Sequence, residues 1–355
     1  MRTPTLQVLL AAAFLAATPA LAADEVAPNH RPVKAVGDQR LEVSGAAGKG
    51  QLPLYASLPL GDGTVQPDVE RAVLVVHGRL RDADVYWRSA RKALAAAPPA
   101  QAAHTLLVVP QFLAERDVAA HGLAPDTLRW TLEGWEGGEP ALAPARLSSF
   151  EAIDTVLALL ADRHRFPHLS QVVVAGHSGG GQVVQRYAVV GQGEAALAAA
   201  GVPVRYVVAN PSSYLYFSAD RPQADGGFKP PAVDACPAYD QWKYGWNDAP
   251  AYATQLSPQA YEARYLKRDV AVLLGALDVD PAHPALDKSC SGEAQGPYRL
   301  ARGRSYVAYL QRRHPDWKPV VHEVPGVGHD GDRMLGSACG LAALFDDPRG
   351  KQVCK

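Results

Sequence analysis

Gln171-Val172-Val173-Val174-Ala175-Gly176-His177-Ser178-Gly179-Gly180-Gly181 is the stretch that decides the reading of this chain. A β-branched run ends abruptly in Gly-x-Ser-x-Gly, and Gln182-Val-Val-Gln-Arg-Tyr-Ala188 follows with helical character. A serine so placed sits on a tight strand-to-helix turn with its hydroxyl pushed out above the sheet edge. Gly176 and Gly180 leave room for that turn, because a Cβ at either position would collide with a neighbouring strand or helix. Short Gly-Ser strings also arise by chance. The pattern gains weight here from the strand before it and the helix after it.

Outward from this turn, strand-like and helix-like segments alternate from about residue 70. Ala72–Val76, Thr105–Val109, Val172–Ala175, Arg205–Ala209, Val270–Leu274 and Val320–Val324 are short apolar runs without alternation, the pattern of strands buried on both faces. Between and after them, Asp82–Ala97, Ser148–Arg163, Gly180–Val190, Tyr298–Arg313 and Asp332–Phe345 read as helices. The alternation predicts an α/β fold with a mostly parallel sheet covered on both faces. Leu41–Val43 and Leu54–Leu58 read as an antiparallel edge hairpin.

Two long segments break the rhythm. Residues 113–147 read as an ordered loop. Residues 211–266 hold 11 of the chain's 27 aromatic residues, which argues against disorder. We expect this insert to be cap-like, its rings either walling the substrate or forming a small core of their own.

Residues 1–22 have the form of a signal peptide: Arg2, an apolar stretch from Val8 to Ala17, and Ala20-Leu21-Ala22 as a cleavage site. The apolar stretch is far short of the ~20 residues a bilayer requires. Export to the periplasm or beyond is expected, without stable membrane insertion. Residues 23–40 then read as a loosely held N-terminal tail, and 41–355 as one domain. Cleavage would remove one cation, Arg2, and move the net charge from −1 to −2. Nothing in that balance attracts nucleic acid. Four cysteines in an oxidising compartment imply two disulfides. Of three possible connectivities, Cys236–Cys290 would join two long loops and Cys339–Cys354 would staple the C-terminal tail.

A serine hydroxyl becomes a nucleophile when a base takes its proton and a third group orients the base. After Val270–Leu274 comes Gly275-Ala-Leu-Asp278-Val-Asp280, placing an acid at a strand's C-terminal end. After Val320–Val324 comes Pro325-Gly-Val-Gly-His329, a glycine-rich turn that delivers a histidine. Three strand ends then converge on one sheet edge, where open α/β sheets build their sites. His322 lies within a strand and reads as a satisfied buried histidine.

With Ser178, an acid and His329 in that chain order, the sequence resembles the α/β-hydrolase superfamily over about residues 41–346, in particular its exported esterase-like members. The resemblance implies a Ser178–His329–Asp278 triad. Asp278 is preferred over Asp280 because it stands third after the strand-ending glycine. His77-Gly78-Arg79 follows a strand, as in similar enzymes whose backbone N–H groups form an oxyanion hole. By position the two donors are Arg79 and Gly179. The motif continues as Arg79-Leu80 rather than the Gly-Gly of many lipases.

The expected activity is serine-dependent cleavage of a small-molecule or polymeric carboxylic ester through an acyl-enzyme. The same triad would serve an amidase or peptidase, and a non-catalytic binding protein on this fold is a third reading. Asp278-x-Asp280 lacks the other ligands of a calcium loop, and neither G-x-G-x-x-G nor a P-loop occurs, so no metal or nucleotide cofactor is expected.

Overall fold

The computed structural model describes residues 27–354. The expected signal peptide lies outside the described residues. The central sheet has eight strands: β1 (Gln39–Gly45), β2 (Gly48–Ala56), β3 (Arg71–Val76), β4 (Thr105–Pro110), β5 (Gln171–His177), β6 (Val204–Ala209), β7 (Asp269–Gly275) and β8 (Val320–Val324). Their spatial order is β1-β2-β4-β3-β5-β6-β7-β8. β1 and β2 form an antiparallel edge hairpin, β2 pairs antiparallel with β4, and all pairs from β4 to β8 are parallel.

The apolar runs have a direct cause. In β5, Val172 and Val174 point to one face and join a core with Val183, Tyr187, Ile153 and Leu157. Val173 and Ala175 point to the other, towards Ala90, Ala93, Leu344 and Phe345. A strand covered on both sides has no solvent face to make polar. The helices supplying the first cover are α2 (Ser149–Leu160), α3 (Gly179–Val190) and α4 (Arg299–Arg313). α1 (Ala83–Ala96), α5 (Gly331–Leu335) and α6 (Ala338–Phe345) supply the second. The predicted helix over 332–345 is thus two helices, with Ser337 capping the second through the Gly340 N–H. α2 begins in a capping box, where Ser148 Oγ accepts from the Phe150 N–H and the Ser148 N–H donates to Glu151 Oε2.

Register aligns the working ends of the strands. Val76 pairs with Gly176, Gly176 with Val208, and Gly275 with Val324. The loops after β3, β5, β7 and β8 therefore leave the same edge.

The N-terminal segment is not loose over residues 27–38. The buried Arg81 guanidinium, paired with buried Asp117, donates to the Asn29 and Arg31 carbonyls. Asp117 also accepts from the Val33 N–H, and Gln111 accepts from the Gly37 N–H. A hydrophilic-looking sequence hides this because its hold is made by main-chain groups.

In the insert, Tyr214, Tyr216 and Phe217 pack with Tyr265, Tyr306 and Tyr309. Trp246 stacks on Tyr261. Most of its aromatic rings therefore form an interior shared with α4. Cys236 is bonded to Cys290 and Cys339 to Cys354.

Candidate active site

The turn after β5 forces Ser178 to φ 59° and ψ −121°, backbone that an L-residue adopts only under constraint. The constraint is close packing. A Cβ on Gly176 would lie 2.2 Å from the Gly180 carbonyl oxygen, and one on Gly180 2.1 Å from the Val76 oxygen. The Ser178 N–H donates to the Ala209 carbonyl, which holds the turn against β6.

His329 Nε2 lies 2.9 Å from Ser178 Oγ, and its Nδ1 lies 2.8 Å from Asp278 Oδ2. A carboxylate only accepts, so Nδ1 carries the hydrogen and the Nε2 lone pair faces the serine hydroxyl. Burial holds the His329 pKa below the ordinary 6.5, with the Arg299 charge acting in the same direction and the Asp278 bond opposing. The ring is thus a neutral base at neutral pH. Asp280 is spent elsewhere, capping a turn by accepting from the Ala282 N–H.

The backbone after β3 is fixed by His77. Phe112 N–H donates to its Nε2, so Nδ1 carries the hydrogen and donates to the Gly78 carbonyl at 2.9 Å. The Arg81 N–H donates to that same oxygen. Pinning this carbonyl turns the other end of the Gly78–Arg79 peptide, the Arg79 N–H, the opposite way. A Cβ on Gly179 would lie 2.8 Å from the Arg79 nitrogen, so these two backbones are in close approach beside Ser178. Neither N–H donates to another protein group among the described residues. Gly179 also opens α3, whose dipole favours negative charge there.

Arg299, His283 and Tyr86 reach the site without a motif to mark them. Arg299, at the start of α4, donates to Asp278 Oδ1 and Ser212 Oγ. The rings of His177 and His283 lie 4.7 and 4.9 Å from that of His329. Burial depresses the pKa of both, His177 strongly. Tyr86 OH sits 3.3 Å from His177 Nδ1. Away from the site, His322, expected to be satisfied, has a buried Nδ1 without a partner among the described residues.

Two cavities open at Ser178. The first, about 560 Å³, is bordered by Leu80, Val85, Tyr86 and His329, with Pro28 and Asn29 of the N-terminal segment. The second, about 430 Å³, is bordered by Gly179, Gln182, Glu136 and, from the insert, Ser212, Lys243 and Tyr244. Among the described residues, no three His, Cys, Asp or Glu side chains are grouped to hold a metal, and no helix is long and apolar enough to cross a membrane.

The chain is similar to a poly(3-hydroxybutyrate) depolymerase from Bordetella parapertussis, at 23% identity and TM-score 0.57 over 87% of this chain and 89% of that one. It is also similar to poly(aspartic acid) hydrolase-1 from Sphingomonas sp. KT-1, at 20% identity and TM-score 0.55 over 86% of this chain and 96% of that one. The fold is that of the α/β-hydrolases. No protein-family model and no curated protein matches the chain.

Proposed function

We propose that this protein is an exported serine hydrolase that cleaves carboxylic esters through an acyl-enzyme. The observation that carries the reading is the unbroken relay from Asp278 Oδ2 through His329 to Ser178 Oγ, at 2.8 and 2.9 Å. His329 Nε2 takes the Ser178 proton while Oγ bonds to the acyl carbon, and Asp278 stabilises the resulting imidazolium. The Arg79 and Gly179 N–H groups receive the oxyanion, each worth ~3 kcal/mol of barrier. As the C–O bond to the leaving group breaks, the proton on Nε2 passes to the departing oxygen. Water, deprotonated by His329, then releases the acid and restores Ser178.

Export rests on the form of residues 1–22 and agrees with two disulfides. A polymeric substrate is compatible with cavities on both sides of the serine. The name of the Sphingomonas neighbour keeps amide cleavage as the second reading.

Hydrolysis of p-nitrophenyl esters beside p-nitroanilides, with Ser178→Ala as control, tests the assignment. Serine-dependent ester turnover is expected. Turnover of anilides alone would move the protein to the amidases, and silence on both would remove the reading.

A further inference from the structure

Resting on Ser178 as nucleophile, we infer that the two cavities divide the substrate, and that the acyl group is short and carries a hydroxyl. The tetrahedral carbon on Ser178 Oγ has three other substituents. One is the oxyanion, held by backbone N–H groups. The leaving group must lie where His329 can protonate it, and His329 borders the first cavity and not the second. The acyl chain is left with the second cavity. Pro284 and Ala285 border both, so a short loop stands between the two halves.

The second cavity is not built for a fatty chain. Its ionic side chains are Arg79, Lys243 and Lys288 against Glu133, Glu136 and Asp287, whose formal charges cancel. Lys243 Nζ lies 2.6 Å from Glu136 Oε2, a pair largely withdrawn from water. Arg186, wholly buried, donates to the main-chain carbonyls of Glu136 and Lys243 and so fixes both. An alkyl chain filling this space would strip water from charges and return no hydrogen bond. A net-neutral lining equally gives no pull on a carboxylate.

Gln182 supplies the specific contact. Its Oε1 accepts from Arg186 Nη2 and Ser213 Oγ. The amide cannot be reversed without turning its NH₂ onto the guanidinium, so the orientation is set. Its Nε2 has no acceptor among the described residues, on a side chain that borders the acyl cavity one helical turn from Ser178. A hydroxyl can accept from this NH₂ and donate to a carboxylate: Glu136 borders the same cavity, and its Oε1 has no partner among the described residues.

The test is kcat/KM for p-nitrophenyl butanoate, 3-hydroxybutanoate and octanoate, which share one leaving group. The wild type should favour the hydroxyacyl ester over butanoate by about tenfold or more, with octanoate poorest. Gln182→Met removes the donor and offers the hydroxyl no acceptor in its place, and should bring the hydroxyacyl-to-butanoate ratio towards one. Should that variant not fold, Gln182→Asn, which draws the NH₂ back by one methylene, should lower the same ratio. Rising activity with chain length, or a ratio near one in the wild type or unmoved in the variants, overturns the inference while leaving the hydrolase reading intact. No Ser178-dependent turnover of any ester overturns both.

Discussion

Arg299 Nη1 lies 3.4 Å from Asp278 Oδ1, the carboxylate oxygen that His329 leaves free. Both side chains are almost wholly shielded from water. The guanidinium therefore acts on His329 by two routes: it orients the acid, and its charge opposes protonation of the imidazole. Arg299→Gln removes the positive charge, so the His329 pKa should rise and the acid limb of kcat/KM should move to higher pH. Arg299→Lys should move it back. A limb that stays put while activity falls would make Arg299 a packing residue only.

Ser178 sits at positive φ, and a comparison of two variants that lack the hydroxyl isolates the strain. Ser178→Ala and Ser178→Gly both lose the hydroxyl, but only glycine adopts this backbone without a Cβ clash. Chemical denaturation should find Ser178→Gly more stable than Ser178→Ala by about 1 kcal/mol. Equal stabilities would show that the turn is unstrained.

His77 is neutral and wholly buried, and burial pushes its pKa from 6.5 down to about 4. Between those values the unfolded chain binds a proton that the folded chain does not, so stability is lost as pH falls below 6.5. The full contribution is about 3 kcal/mol. Buried His177 acts in the same direction. Unfolding free energy measured from pH 7.5 to 4.5 should decline, and His77→Gln should make the slope shallower. An unchanged slope would contradict the burial argument.

The N-terminal segment both anchors Arg81 and borders the first cavity through Pro28 and Asn29. A chain beginning at Asp38 would leave the buried guanidinium without two carbonyl acceptors, at a cost of about 2–4 kcal/mol. It should unfold at lower denaturant and lose discrimination against bulky leaving groups. Wild-type stability and selectivity in the truncated chain would show that the strap is passive.

How legible each residue is in the sequence follows from where it sits. Ser178, Asp278 and His329 each follow an apolar strand within five residues, and glycines mark their turns, so local pattern places them on one edge. The sheet is legible for the same reason, since two-sided burial leaves an apolar run within each of β3 to β7. Arg299, His283 and Pro284 were not readable, because they reach the site only through the packing of α4 and the loop after β7. The insert was legible only as a choice between a wall and a core. Its tyrosines and tryptophans fit either a substrate wall or a small core, and the structure makes most of them a core, facing each other and α4, while Tyr244 borders the second cavity beside polar Lys243 and Ser212. Composition reports how many rings a segment holds, not which way they turn.

The central claim is that His329 activates the Ser178 hydroxyl. Intact-protein mass after exposure to a fluorophosphonate ester at pH 8 tests it most directly, since the reagent bonds only to an activated serine oxygen as fluoride leaves. The account predicts one adduct, located on the peptide containing Ser178, absent in Ser178→Ala and formed at least ~10²-fold more slowly in His329→Ala. No adduct on the wild-type protein, or the same adduct on Ser178→Ala, would contradict it.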